Sequence, residues 1–261
     1  MAFTTLSYDV RDGVGHVRFT RPEGANAVNP ALARDLRDVV IEIQFDDAVK
    51  AVSVTAEGKV FCAGGDLKEF NDAGDGLPTM ASQMLVDFHA AINRMNRTPK
   101  PFVAGVGGAA GGAGMSLMSA FDLVVSPRRR SSPWRTPGRS HPRRHVDLFH
   151  LPPHRRAADA RPHAHQPSVV GGRGRVVGSG QPSRGARRGR RADRALAQQL
   201  ADGASWALGM AKRIVYEGHD TSLEKAGELE AAVITESMGR HDGREGIAAF
   251  VEKRAANFTG Q

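Results

Sequence analysis

The sequence of 261 residues predicts an α/β fold followed by a helical C-terminal region. Up to residue 126, short apolar segments bounded by turn residues alternate with longer segments of helical periodicity, which is the pattern of a sheet covered by helices. After residue 193 only helical patterns occur. Apolar residues make up 40% of the chain, which is enough to bury a core. We therefore expect an α/β core over residues 1–193 and a helical unit over residues 194–261.

Five segments are predicted to be strands because short apolar or alternating runs end at turn residues. They are residues 6–10, 16–20, 51–55, 101–106 and 122–126. The turn Arg11-Asp12-Gly13 separates the first two. A further short strand begins at residue 59 and leads into a turn of small residues.

Apolar residues three or four apart mark the helices. The first helix is predicted to begin after Asn29, a favoured N-cap, with Pro30 at the first helical position. The second helix is marked by apolar residues from Met80 to Met95 and is predicted to stop near residue 98. The C-terminal helices are predicted over residues 204–217, 222–238 and 242–253. The second of these three begins at a serine, a favoured N-cap.

Positive charge is concentrated in one segment. Residues 127–192 contain 17 arginines, no lysine and only Asp147 and Asp159, for a net charge of +15, whereas the rest of the chain carries −7. The same segment contains nine of the 14 prolines. The chain is therefore a mildly acidic protein interrupted by a basic segment, and its net charge of +8 does not by itself indicate nucleic-acid binding.

Composition excludes several other classes of protein. No run of 18 apolar residues predicts a membrane span, and the N-terminus has no secretory pattern. The single cysteine, Cys62, excludes an internal disulfide and a multi-cysteine metal site, and it fits a reducing cytosol. Cys62 lies among small residues, where a packed side chain is favoured over a nucleophile because a nucleophile needs a nearby base.

Two glycine-rich turns are the candidate functional features. Residues 59–70 and residues 104–117 each run from a strand through small residues into a helix. Small residues let a ligand approach the backbone, and N–H groups at a helix start favour negative charge. Two such turns can each direct one N–H at the same oxygen, which makes an oxyanion hole.

Each turn alone also has a purely structural interpretation, because glycine often only reverses the chain. Residues 105–110 fit G-x-G-x-x-A, a dinucleotide-binding pattern, but no acidic residue ends a second strand about 20 residues further on. No G-K-[ST] is present, so no P-loop is predicted.

Four segments together resemble the enoyl-CoA hydratase/isomerase (crotonase) family in order and spacing. They are RPEGANAV at 21–28, FCAGGDLK at 61–68, the glycine-rich residues 107–122 and FVEKR at 250–254. The resemblance covers residues 1–126 and 194–261. It implies a spiral of β-β-α units with a C-terminal helical trimerisation region. It also implies a cytoplasmic homotrimer or hexamer of fatty-acid metabolism that acts on an acyl-CoA substrate, with no separate cofactor, metal, nucleic acid or membrane.

The resemblance further implies a role for individual residues. The backbone N–H groups of Gly65 and Ala113 match the pair that polarises the thioester carbonyl and holds the enolate. The positions that match CoA or substrate contacts are Ala25, Ala27, Ala63, Asp66, Leu67, Gly112, Phe250 and Lys253. For Lys253, a solvated helix face is the alternative interpretation.

One position departs from the hydratases of this family. They carry a catalytic glutamate where this chain has Ser116, and a serine without a partner is no general acid or base near neutral pH. We therefore expect Ser116 to be inert. The function implied is hydration or double-bond isomerisation of an enoyl-CoA, with a non-catalytic CoA-thioester binder as the alternative.

The basic segment has the composition of a wrong reading frame in a GC-rich gene, because such frames yield arginine without lysine. Residues 132–138 permit DNA that, read one base earlier, encodes Phe-Thr-Met-Ala-Tyr-Thr-Arg, which is family-like. From about residue 140 the other frame fits better, and the aspartate of its Thr-Pro-Asp-Gly run overlies Arg143. That aspartate is the candidate acid/base of the intact product, and the printed chain lacks it.

Other interpretations of this segment are an arginine-rich nucleic-acid-binding arm and a zinc site. The arm would have to interrupt a fold, and the histidine pairs with zinc-like spacing lie among helix-breaking prolines: His141 and His145, His150 and His154. We expect residues 127–192 to lack packed strands and helices. The core would then lose one wall and expose apolar surface at Leu36 and Met84.

Overall fold

A five-stranded sheet forms the centre of the computed structural model, which describes residues 2–126, 186–218 and 221–261. In chain order the strands of the described residues are β1 Leu6–Arg11, β2 Val14–Phe19, β3 Ala51–Ala56, β4 Val60–Cys62, β5 Phe102–Gly105, β6 Ala109–Ala110 and β7 Leu123–Val125. The sheet has the order β1-β2-β3-β5-β7, while β4 pairs with β6 in a separate two-stranded sheet. The first pair is antiparallel and all other pairs are parallel.

Helices cover the sheet and form the C-terminal region. Within the described residues they are α1 Pro30–Phe45, α2 Leu67–Asp72, α3 Leu77–Arg97, α4 Ala113–Ser119, α5 Ala186–Ala201, α6 Ser205–Gly218, α7 Leu223–Gly239 and α8 His241–Glu252. The predicted caps are confirmed: Asn29 accepts a hydrogen bond from the N–H of Leu32, and Ser222 accepts one from the N–H of Lys225.

The two faces of the sheet are buried by different helices. α1 and α3 pack against each other and cover one face, where β4 and its phenylalanine, Phe61, join the same core. α5 covers the other face with three small or aliphatic side chains that meet Val14, Ala51 and Val103 of the sheet. Those side chains are Ala197, Leu200 and Ala201.

The five strands predicted for the sheet are confirmed within two residues at each end, as are the three C-terminal helices. The expectation that residues 127–192 contain no packed helix is wrong for the last part of that segment, because α5 begins at Ala186. The boundary expected at residue 193, between the α/β core and the helical C-terminal unit, falls inside the same helix. The rest of the basic segment, with His141, His145, His150, His154 and Arg143, lies outside the described residues.

The expectation of exposed apolar surface on α1 and α3 is also wrong. Leu36 is 2% exposed and Met84 is 6% exposed. The two helices bury these side chains against each other and against the sheet.

Candidate active site

The first glycine-rich turn joins β4 to α2 and ends at Asp66, the N-cap of α2. The Asp66 carboxylate accepts from the N–H of Glu69, and Arg21 forms an ion pair with it at 3.0 Å. Ala63 and Leu67 are exposed on either side of the turn, and Gly65 and Asp66 are half-buried. A negative side chain at this position stabilises the helix start, which orients the N–H groups of the turn.

The loop of residues 21–28 is hydrogen-bonded to this turn along its length. The N–H of Ala63 donates to the carbonyl of Ala25 at 3.1 Å. The N–H of Val28 donates to the carbonyl of Gly64, and the N–H of Asp66 donates to the carbonyl of Val28. In this parallel bridge the N–H of Gly65, which lies between the two bonded groups, points away from the loop.

Asn26 anchors that loop, and its role was not predicted from the sequence. It is fully buried with a φ of +49°, its Oδ1 accepts from the N–H of Arg21, and its Nδ2 donates to the carbonyls of Glu57 and Val60, each at 2.9 Å. Asparagine tolerates the left-handed conformation better than most residues, which is the one sequence signal for this role. Ala25 and the buried Ala27 flank it.

The second glycine-rich turn packs directly on the first. The N–H of Gly111 donates to the carbonyl of Cys62 at 3.0 Å, which continues the pairing of β4 with β6. A Cβ on Gly64, where φ is +110°, would lie 2.9 Å from the carbonyl oxygen of Gly111. Only glycine permits this backbone contact, so the sequence of the turns sets how close they come.

Gly112 ends the second turn and begins α4, with Ala113 as the first helical residue. Among the residues that the structure describes, the N–H groups of Gly65 and Ala113 have no hydrogen-bond acceptor. The structure thus brings together two turns, more than forty residues apart in the chain, that each present an unpaired N–H. Such a pair can stabilise negative charge on one oxygen.

Ser116 lies half-buried in the first turns of α4. No residue of this helix, Ala113–Ser119, has an ionisable side chain. The two carboxylates at the start of α2 are already engaged, since Asp66 pairs with Arg21 and Glu69 accepts from Asn29 at 2.7 Å. The described part of the site therefore presents two unpaired N–H groups, and α4 carries no carboxylate next to them.

Cys62 is fully buried at the end of β4. Burial raises the pKa of its thiol, and this effect outweighs a hydrogen bond from the backbone of Gly64. A neutral, buried thiol is a poor nucleophile. These observations favour the packed side chain over a catalytic cysteine.

Phe250 and Lys253 lie at the C-terminal end of α8. The Phe250 side chain is 76% exposed, and Lys253 ends the helix with a φ of +54°. In the described part of this chain, no hydrogen bond or ion pair joins either residue to the glycine-rich turns. The structure thus places these two predicted CoA contacts on a separate, exposed helix.

The described residues contain neither a candidate membrane span nor a candidate metal cluster. None of the helices there has the length and apolar character that a membrane span requires. No group of three or more histidine, cysteine, aspartate or glutamate side chains in the same residues is arranged to hold a metal ion.

The chain is similar to known proteins over most of its length. Residues 9–131 match the family model described as enoyl-CoA hydratase/isomerase. The 1,2-epoxyphenylacetyl-CoA isomerase of Escherichia coli is 25% identical, and the match covers 97% of both chains. The 4-chlorobenzoyl coenzyme A dehalogenase-2 of an Arthrobacter species is 28% identical over 95% of this chain and 91% of the relative.

Solved structures share the fold. The crystal structure of an enoyl-CoA hydratase from Mycobacterium smegmatis superposes with a TM-score of 0.72, covers 97% of this chain and 98% of its own, and is 23% identical. At that identity the similarity shows the fold alone. The predicted α/β class of crotonase type is confirmed.

Proposed function

Because the chain belongs to the enoyl-CoA hydratase/isomerase (crotonase) family, we propose that it binds an acyl-CoA thioester and polarises the thioester carbonyl with the N–H groups of Gly65 and Ala113. The observation that carries this proposal is the pair of unpaired N–H groups on two turns held in backbone contact. Loss of an α-proton, or addition at the β-carbon, places negative charge on the thioester oxygen. Two fixed N–H donors stabilise that charge more than they stabilise the neutral substrate.

The CoA portion of the substrate would lie along the surface that leads to these turns. Ala25, Ala63 and Leu67 are accessible there, and Gly112 is exposed beside them, whereas the buried Ala27 shapes the loop from inside. Asp66 acts through its ion pair with Arg21, which also donates to the carbonyl of Ala27 at 3.0 Å. This arrangement holds loop and turn together as one binding surface.

The reaction we propose is hydration or double-bond isomerisation of an enoyl-CoA. Similar proteins include an isomerase and a dehalogenase, so thioester binding by itself does not decide the reaction class. The residue that moves the proton is the deciding factor. Our candidate is the aspartate encoded in the alternative frame over Arg143, because Ser116 occupies the glutamate position of the hydratases.

A second candidate function is CoA-thioester binding without catalysis. The absence of any ionisable side chain on α4 favours it for the printed chain. Turnover of crotonyl-CoA distinguishes the two functions. Stabilisation by CoA thioesters in a thermal unfolding assay is expected for both, because a ligand that binds only the native state stabilises it by mass action.

The oxyanion assignment can be tested without turnover. A conjugated thioester such as hexadienoyl-CoA absorbs at longer wavelength when its carbonyl is polarised, so binding to the wild-type chain should shift its absorption maximum to the red. Gly65→Pro removes one N–H and should abolish the shift. Gly65→Ala keeps the N–H and serves as the steric control, since its Cβ would meet the Phe70 ring at 2.6 Å. A full shift in Gly65→Pro would exclude this role.

A further inference from the structure

Arg21 is held by both its backbone and its side chain beside the first glycine-rich turn. Its N–H donates to Asn26 Oδ1 at 3.0 Å, and its carbonyl accepts from the N–H of Asn26 at 2.9 Å. Its guanidinium donates from Nη1 to the carbonyl of Ala27 and from Nη2 to the Asp66 carboxylate, each at 3.0 Å. Only 21% of the side chain is exposed. The guanidinium is therefore fixed between the loop and the turn.

Two peptide groups in series connect this guanidinium to the N–H of Gly65. The carbonyl of Ala27 and the N–H of Val28 belong to one peptide group, and that N–H donates to the carbonyl of Gly64 at 2.6 Å. The carbonyl of Gly64 and the N–H of Gly65 belong to the second peptide group. No peptide bond of the described residues is cis, so the carbonyl and the N–H of each group point in opposite directions. The line of hydrogen bonds that starts at Arg21 therefore ends at the unpaired N–H of Gly65.

This line fixes the direction of the Gly65 N–H. A peptide group is planar, so the hydrogen bond at the carbonyl of Gly64 sets the direction of the N–H on the opposite side of the same group. The next N–H, that of Asp66, donates to the carbonyl of Val28 at 2.9 Å, so the chain is held on both sides of Gly65. The Gly65 N–H is thereby directed away from the loop of residues 21–28.

The same line makes that N–H a stronger hydrogen-bond donor. A cation at a carbonyl oxygen withdraws electron density from its peptide group, which leaves more positive charge on the N–H. In a chain of such groups, each hydrogen bond strengthens the next by about 10–30%. Ala27 is 6% exposed and Val28 is 1% exposed, so water screens little of the effect. The charge of Arg21 is thus transmitted to the N–H of Gly65.

Arg21 also neutralises the carboxylate that follows Gly65 in the chain. An unpaired negative charge on Asp66 would oppose a second negative charge at the N–H of Gly65. The ion pair between Arg21 and Asp66 offsets that repulsion. Arg21 therefore favours negative charge at this turn in two ways, through the peptide groups and through Asp66.

We propose that Arg21 is a positioning residue for the oxyanion donor: through the peptide groups Ala27–Val28 and Gly64–Gly65 it directs and strengthens the N–H of Gly65. This inference rests on the proposed function, in which that N–H binds the thioester oxygen. Arg21 acts through the peptide groups and not by contact with the reacting atoms. Its removal should therefore weaken polarisation of the bound carbonyl more than it weakens binding.

Arg21→Met tests the proposal with two measurements. Methionine has an unbranched stem but neither the charge nor the N–H donors of arginine. In the ligand-free protein, NMR with glycine-selective labels records the amide proton of Gly65, and its signal should move upfield because its peptide group is less polarised. With hexadienoyl-CoA at saturation, the red shift of the bound thioester should shrink by about a quarter. A role in folding alone would lower the melting temperature and leave both signals unchanged.

Two further comparisons control the experiment. Arg34→Met makes the same chemical change at an exposed arginine on α1 and should leave both signals at their wild-type values. Asp66→Asn removes the ion pair but keeps the bond from Arg21 to Ala27, and asparagine still caps α2. Adding Arg21→Met to Asp66→Asn leaves no carboxylate unpaired, so this comparison keeps the test valid if Arg21→Met alone does not fold. From Asp66→Asn to the double variant, both signals should change as described for Arg21→Met.

The outcomes separate this proposal from the proposed function. If wild-type protein shifts the hexadienoyl-CoA spectrum and Arg21→Met keeps both the full shift and the Gly65 signal, the proposal is wrong and the function stands. If wild-type protein gives no red shift, the proposed function is wrong, and the positioning role falls with it whatever the Gly65 signal shows. A change in only one of the two signals would show that Arg21 acts by another route, and it would also overturn the proposal.

Discussion

Gly114 of α4 stands directly against Cys62 of β4: a Cβ on Gly114 would lie 2.3 Å from the Cys62 carbonyl oxygen. The same oxygen accepts the hydrogen bond from the N–H of Gly111. The start of α4 is therefore in backbone contact with the strand that leads to Gly65. This contact determines how close the N–H groups of Gly65 and Ala113 come to each other.

Gly114→Ala should destabilise the protein and disturb the site together. The new methyl group meets a backbone oxygen that belongs to a paired strand and cannot move alone, so we expect a loss of about 2 kcal/mol in the free energy of unfolding. Urea unfolding monitored by circular dichroism measures it. Gly76→Ala is the matched control, because a Cβ there meets nothing within 4 Å. Equal stability of the two variants would contradict the close contact.

Asn26→Ala should be among the most damaging single substitutions in the loop of residues 21–28. It leaves the carbonyls of Glu57 and Val60 and the N–H of Arg21 without their partner in a buried site, and it places alanine at a φ of +49°. We expect a loss of about 3 kcal/mol in the free energy of unfolding, and weaker binding of CoA thioesters. Asn71→Ala, at an exposed position on α2, is the control. A change below about 1 kcal/mol in Asn26→Ala would refute the anchoring role.

Acid should weaken the attachment of the N-terminus to α1. Burial alone would raise the pKa of Asp35, but hydrogen bonds from the side chains and N–H groups of Thr5 and Thr4 outweigh it, and the pKa is lowered. A lowered folded-state pKa means that the stabilisation is complete above the unfolded value of about 4 and is lost as pH falls through the folded value.

This pH dependence can be measured by urea unfolding at pH 7 and near pH 3. Asp35→Asn removes the ionisable group, so its stability should fall less between the two pH values than that of the wild-type protein. The variant should already be less stable at pH 7, where the charged hydrogen bonds are lost. If both proteins lose the same stability on acidification, Asp35 is not a source of the effect.

Sequencing of the gene should reveal the reading frame of residues 127–192. We expect single-base differences that restore family-like residues, including an aspartate over Arg143. Expression of the restored gene should yield a protein that turns over an enoyl-CoA, whereas the printed chain should bind the thioester with little or no turnover. An uninterrupted DNA trace that encodes the printed residues would disprove the frameshift hypothesis.

Local patterns allowed most elements of the fold to be predicted. Helix caps and apolar stripes involve residues within a turn or two of one another, so they can be recognised from the sequence alone. The examples here are the caps at Asn29 and Ser222 and the stripes of α1, α3 and α7. α5 was missed because its first half is rich in arginine. α5 is buried through Ala197, Leu200 and Ala201, and the role of these side chains is evident only from their contact with the sheet.

The sequence by itself determined which groups the site contains: two glycine-rich turns, each before a helix, and a serine at the glutamate position of the hydratases. Only the tertiary structure decided that these turns touch and that Asn26 anchors the loop beside them. The physical reason is range. Helix periodicity and capping act between near neighbours in the chain, whereas contact between Gly64 and Gly111 depends on the pairing of β4 with β6 and on the core that holds both strands.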